Sequence, residues 1–163
     1  GRRRLLQGRD RQGRLTDLTN QAQRAVDRVR ELDPRWEPPQ SAFSRDTDNI
    51  EARIQHQEAV RQAAEARFAE LTRDAIPGTN PSWGVNRLTK ELYERGFRLD
   101  RPAEGSGLVY RNPESGQEVR LMERPTSFWR NAPAEKYFFD YYYRYRCGPG
   151  APWGAHIPIP NKP

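Results

Sequence analysis

Residues 85–124 read VNRLTKELYERGFRLDRPAEGSGLVYRNPESGQEVRLMER. Their opening, Val85 to Arg95, predicts a short amphipathic helix with Val85, Leu88, Leu92 and Tyr93 on its apolar side. Gly96 follows where a left-handed cap is wanted. FRLDR then alternates as a strand, EGSG turns, LVYRN makes a second strand, NPESG a hairpin turn and EVRLMER a third strand. Alternation in the third strand sends Val119 and Leu121 to one face and Arg120, Met122 and Arg124 to the other. A helix followed by an antiparallel meander sets the fold class as α+β.

Working outward toward the C-terminus, residues 136–159 read KYFFDYYYRYRCGPGAPWGAHIPI. RNAPAEK before the aromatic run starts like a helix, with Asn131 as cap and Pro133 in the first turn. DYYYRYR predicts a fourth strand, set against the alternative of one longer helix. As a strand it places Tyr141, Tyr143 and Tyr145 toward a core, and Asp140, Tyr142, Arg144 and Arg146 on the other face. HIPIP predicts a final edge strand, because Pro158 and Pro160 cannot donate to a ladder.

Toward the N-terminus the pattern becomes helical. Leu15, Leu18, Ala22, Ala25, Val29 and Leu32 recur at spacings of three and four, up to Asp33-Pro34. After a proline-rich connection, Ile50, Ile54, Val60, Ala64, Phe68 and Leu71 form a second stripe, with Thr47 or Asp48 as cap. The simplest reading is an antiparallel helical hairpin over 15–75. The domain scheme is then a basic linker at 1–14, the hairpin, a turn-rich linker at 76–84 and an α+β domain at 85–163. The antiparallel sheet of that last domain is expected to pack with one or two helices.

The formal charge is +6 and it is unevenly spread. Residues 1–14 hold six Arg against one Asp, residues 15–83 nine basic against twelve acidic, and residues 84–163 thirteen basic against nine acidic. A basic C-terminal half favours a polyanionic partner, nucleic acid first. The single cysteine, Cys147, excludes an intramolecular disulfide and any Cys-based zinc cluster, and it reads as a small buried residue ending a strand. Two histidines in different regions make a His-rich metal site unsuited, and no metal or cofactor is expected. No window is apolar for long enough to span a membrane. The first residue is not Met, and a piece of a longer protein is expected.

Metal-free cleavage of RNA needs a proton carrier for the ribose 2′-hydroxyl or the leaving oxygen, and cations around the phosphate. His156, after the Gly/Pro loop CGPGAPWGA, titrates in the range for either role. Lys136, Arg124 and Arg120 are candidate phosphate stabilisers, and Glu118 a candidate base or partner for the histidine. Arg111, Arg130, Arg144 and Arg146 are candidate nucleic-acid contacts, and Tyr142 and Trp153 can stack an unpaired base. The alternatives are a metal-dependent DNase built on a set such as Asp100, Glu118 and Arg120, or a protein-binding module that uses the aromatic and basic face. The sequence lacks the His-x-Glu and Cys-x-x-Cys signature of zinc nucleobase deaminases.

An alanine- and arginine-rich helical lead-in before a basic, cysteine-poor module resembles the C-terminal toxic tip of bacterial polymorphic toxins of the Rhs and contact-dependent-inhibition type. The stretch from GFRLDR to RLMERP and the ending RYR…WGAHIPIPNKP carry that resemblance. It implies a ribonuclease of the barnase, EndoU, colicin and RelE type, with His156 as its catalytic histidine. It further implies an acidic immunity protein, a larger delivery protein upstream and action in the cytoplasm of a target cell. LTKELYERGFRLDR…SGLVYRNPESGQEVRL is also similar to the HicA-like mRNA interferases, but Gly107 and Leu108 stand where those carry a histidine.

Overall fold

The computed structural model describes residues 2–40, 49–103, 107–123 and 139–163. The chain divides into two units, residues 1–70 and 71–163.

The first unit is a helix pair, α1 (Arg2–Leu32) and α2 (Ile50–Leu71). The arginine-rich start, expected as a linker, belongs to α1; Arg, Leu and Gln are good helix formers and no proline interrupts them. Ala22, Val26, Val29 and Leu32 of α1 and Ile54, Val60 and Ala64 of α2 are buried. The helices pair as expected, but they run in the same direction. Arg11 bridges to Glu51 at 3.2 Å, Arg28 lies 4.1 Å over the Phe68 ring, and Arg67 bridges to Asp33 at 3.0 Å. Like ends therefore meet, which corrects the antiparallel hairpin. The connection, residues 33–49, can reach about 55 Å when extended, enough to return along the roughly 33 Å of α2.

In the second unit, α3 (Val85–Glu94) precedes five strands: β1 (Arg98–Pro102), β2 (Leu108–Arg111), β3 (Glu118–Glu123), β4 (Tyr141–Arg146) and β5 (Ile157–Ile159). They form one antiparallel sheet in the order β1-β2-β3-β4-β5. The helix for 131–136 lies outside the described residues. Residues 141–146 are strand, so the longer-helix alternative falls.

Two junctions fix α3 against the sheet. Gly96 sits at φ +98°, Phe97 N–H donates to Leu92 O at 3.0 Å and Gly96 N–H to Tyr93 O at 3.1 Å. This is a Schellman cap, and it turns the chain directly into β1. At the β2–β3 turn, buried Asn112 donates through Nδ2 to Arg95 O, while its Oδ1 accepts from the N–H of Glu114 and Ser115.

Leu88 and Leu92 pack with Phe97, Val119, Tyr143, Tyr145, Ile157 and Ile159, all on one face of the sheet by register. Tyr143 and Tyr145 are buried there and Tyr141 lies at the margin, as alternation requires. Tyr93, expected on the apolar side of α3, is exposed and carries the Arg98 guanidinium 3.8 Å from its ring centroid. The segment expected as a linker is packed into this unit: Ile76 is buried in the core and its N–H donates to the Tyr143 hydroxyl at 3.2 Å. At the sheet's ends, β1 carries a bulge between Leu99 and Arg101, and β5 carries Pro158 opposite Tyr142.

Candidate functional site

The face of the sheet away from the Leu88–Leu92 cluster collects arginine. Register places Arg98, Arg111, Glu118 and Arg146 in one cross-strand row, and Arg101, Val109, Arg120 and Arg144 in the next. Met122, Tyr142 and Pro158 follow in a third row. Of the sequence candidates, Glu118, Arg111, Arg120, Arg144, Arg146 and Tyr142 therefore share one face. Lys136, Arg124 and Arg130 lie outside the described residues.

Glu118 is the pivot of this face. It is 2 % exposed, and its carboxylate accepts from Arg146 Nε at 2.5 Å and from Arg101 Nη1 at 3.1 Å. Burial opposes its charge, but the hydrogen bonds and field of the two guanidinium groups outweigh burial and hold the carboxyl below its ordinary range. Glu118 is thus an ionised anchor with an arginine on each oxygen. Arg101 was not a sequence candidate. The bulge at Asp100 shifts it onto the Glu118 face, whereas strict alternation would send it to the other side.

The remaining arginines differ in how they are held. Arg98 turns to the end of α3 and donates to Tyr93 O and Phe97 O. Arg144 donates through Nε to Gly154 O at 2.8 Å. Arg146 lies 4.3 Å over the Trp153 ring and reaches Ala151 O at 3.5 Å. Arg111 is half-buried, and its Nε is buried without an acceptor.

The loop from Cys147 to His156 is fastened from several sides. Gly154 N–H donates to Tyr145 O at 2.9 Å, Arg144 holds Gly154 O, and Asp74 Oδ2 accepts from Ala155 N–H at 3.0 Å. Asp74 was also missed in the sequence, because its contact crosses from the segment before α3. Trp153 is half-buried under Arg146. His156 is exposed and stands one residue before Ile157, the partner of Tyr143. Cys147, expected to be buried, is exposed in the Gly/Pro loop just past the end of β4, where its Sγ accepts from the Tyr145 hydroxyl at 3.9 Å. Tyr142 sets its ring edge-on to buried Phe139 at 6.2 Å.

Among the described residues, no group of three or more His, Cys, Asp or Glu is placed to hold a metal ion, and no helix is long and apolar enough to cross a membrane. Comparisons with family models, curated proteins and solved structures find no match.

Proposed function

We propose that residues 71–163 bind RNA on the arginine face and cleave it without a metal, as a toxin domain of the interbacterial kind that the sequence resembles. One observation supports this most: Arg101, Arg111, Arg120, Arg144, Arg146 and Tyr142 share one side of a five-stranded sheet, and Trp153 of the loop that leads to His156 lies under Arg146. Guanidinium groups match phosphate oxygens in pairs, and the faces of Tyr142 and Trp153 suit a nucleobase.

In this reading the ribose 2′-oxygen attacks the adjacent phosphorus and loses its proton. The bond from phosphorus to the 5′-oxygen breaks, and that oxygen takes a proton. A cyclic phosphate and a 5′-hydroxyl result. His156, exposed where the last loop enters β5, carries one of these protons. Glu118 acts through Arg101 and Arg146 and does not itself serve as base, because both its oxygens already accept from arginine. Arg120, with Lys136 and Arg124, stabilises the phosphate charge. An acidic neutralising protein would cover such a face and be drawn to it by charge.

The test is incubation of the full chain with total RNA and plasmid DNA, with and without EDTA, beside His156→Ala. Cleavage of RNA that persists in EDTA and disappears in the variant, at an unchanged melting temperature, is expected. Cleavage of DNA alone, lost in EDTA, would replace this reading with a metal-dependent nuclease. Salt-sensitive RNA binding without turnover would replace it with a binding module.

A further inference from the structure

We infer that Asp74 is a positioning residue for His156, and that the peptide leading out of α2 is thereby part of the site. The role given to the histidine rests on the ribonuclease reading above; the clasp that holds its loop rests on geometry.

α2 ends at Leu71 and α3 begins at Val85. Turn-rich connections ordinarily run over the surface and bind little. Residues 74–76 instead reach the chain on both sides of the histidine. Asp74 Oδ2 accepts from the N–H of Ala155, one residue before His156, at 3.0 Å. Ile76 N–H donates to the Tyr143 hydroxyl at 3.2 Å, and Tyr143 is the β4 partner of Ile157, one residue after His156. The same three-residue segment is thus tied to the loop directly at Ala155 and to β5 through Tyr143.

The peptide unit between Gly154 and Ala155 is gripped at both of its polar ends. Its carbonyl accepts from Arg144 Nε at 2.8 Å, and its N–H meets Asp74. A peptide unit is planar, so two such bonds set its orientation. Between that plane and paired Ile157, only the dihedrals of Ala155 and His156 remain.

Asp74 is itself well placed to act as a stop. Ala75 N–H donates to Thr72 O at 3.1 Å and closes a turn around it, while Ile76 is buried in the core two residues on. The side chain lies so close to Gly154 that a Cβ there would come within 2.8 Å of Asp74 Cβ and 3.2 Å of its Cγ. A carboxylate accepting from a backbone N–H is one of the stronger hydrogen bonds. A proton carrier must stand within hydrogen-bond reach of the atom it serves, so the path of this loop decides whether His156 can work. Asp74 acts through the backbone and touches no substrate.

The experiment compares the full chain with Asp74→Ala and Asp74→Asn. Asp27→Ala in α1, where Asp27 accepts from Gln23, is the charge-matched control. Asn keeps an oxygen that can accept from Ala155 N–H, and Ala does not. Nuclear magnetic resonance follows the Ala155 amide and the His156 ring; the chain has two histidines, and His56, in α2, is the internal reference. Initial rates on a short fluorogenic single-stranded RNA give kcat and KM, and the near-ultraviolet circular dichroism of tyrosine reports the fold.

Asp74→Ala is expected to move the Ala155 amide and His156 ring resonances and to leave that of His56 in place. It should lower kcat about 100-fold while KM stays within about twofold, because the arginine face is untouched. Asp74→Asn should recover kcat to within about threefold of the unaltered chain. Asp27→Ala should match the unaltered chain throughout.

An unmoved His156 resonance, or an undiminished kcat, in Asp74→Ala would overturn the positioning role. An equal loss in Asp74→Asn would overturn it too, since the acceptor is kept there. So would loss of the tyrosine signal in Asp74→Ala, which would assign the residue to the fold as a whole. If the unaltered chain cuts no RNA while both resonances still move in Asp74→Ala, the ribonuclease reading falls and the clasp on the histidine's loop stands.

Discussion

Replacing Glu118 with Gln keeps the side chain's volume and removes its charge, so its consequence is almost purely electrostatic. Arg146, 15 % exposed at its side chain, then loses its counter-ion in a place water reaches poorly. Arg101, 44 % exposed, can turn to solvent instead. Breaking a fully buried pair from one side costs about 3–5 kcal/mol; with one of two partners able to escape, about 3 kcal/mol is expected here. In a unit of this size that corresponds to a fall in melting temperature of about 12–24 °C. All seven tyrosines lie between residues 93 and 145, so the near-ultraviolet circular dichroism of tyrosine follows the second unit selectively. The same measurement gives the pH dependence. Because the Glu118 carboxyl is held low in the folded state, its contribution is complete above the unfolded value of about 4.3 and is lost as pH falls through the folded value. The gap between the two proteins should therefore be constant from pH 7 to about 5 and close below that. A loss of less than about 1 kcal/mol at pH 7, or a gap that ignores acidification, would refute the anchoring role.

Tyr143→Phe removes the acceptor of the Ile76 N–H, a buried donor, and should cost about 1–2 kcal/mol with faster hydrogen exchange at that amide. Gly154→Ala would place a Cβ 2.8 Å from Asp74 Cβ and 3.2 Å from Tyr145 O, so a loss of about 2 kcal/mol with altered Trp153 fluorescence is expected. Gly150→Ala, with nothing within 4 Å, should change stability by less than about 0.5 kcal/mol. For the helix pair, in a Cys147→Ser background, a short bis-maleimide should join Arg11→Cys to Glu51→Cys. It should fail to join Arg11→Cys to Leu71→Cys, about 30 Å further along α2.

Where two-residue alternation or a capping glycine governs the backbone, the sequence was readable. Gly96 ends α3, and the period of Tyr141 to Arg146 separates the core tyrosines from Tyr142, Arg144 and Arg146. The sense of the helix pair was not readable, because periodicity describes each helix alone and residues 33–49 are long enough for either return. Nor did the sequence reveal which arginines clamp Glu118. That clamp follows from the register between β3 and β4 and from the bulge at Asp100, which aligns Arg101 with Glu118. Asp74 escaped for a related reason: turn residues predict a boundary, and only packing shows that Ile76 and Asp74 return to fasten the sheet and its last loop.

Both outer strands of the sheet carry features that discourage another strand from joining them. On β1 the bulge breaks the even spacing of hydrogen-bonding groups, and the charged side chains of Arg98, Asp100 and Arg101 flank it. On β5, Pro158 and the adjoining Pro160 lack the N–H that a further ladder would use. Extended peptides and second copies of the chain are thus poorly received edge-on, and amyloid-like stacking has little to start from. A protein partner of this unit must recognise side chains on its faces and loops, so its selectivity would be written in charge and ring chemistry more than in backbone pairing.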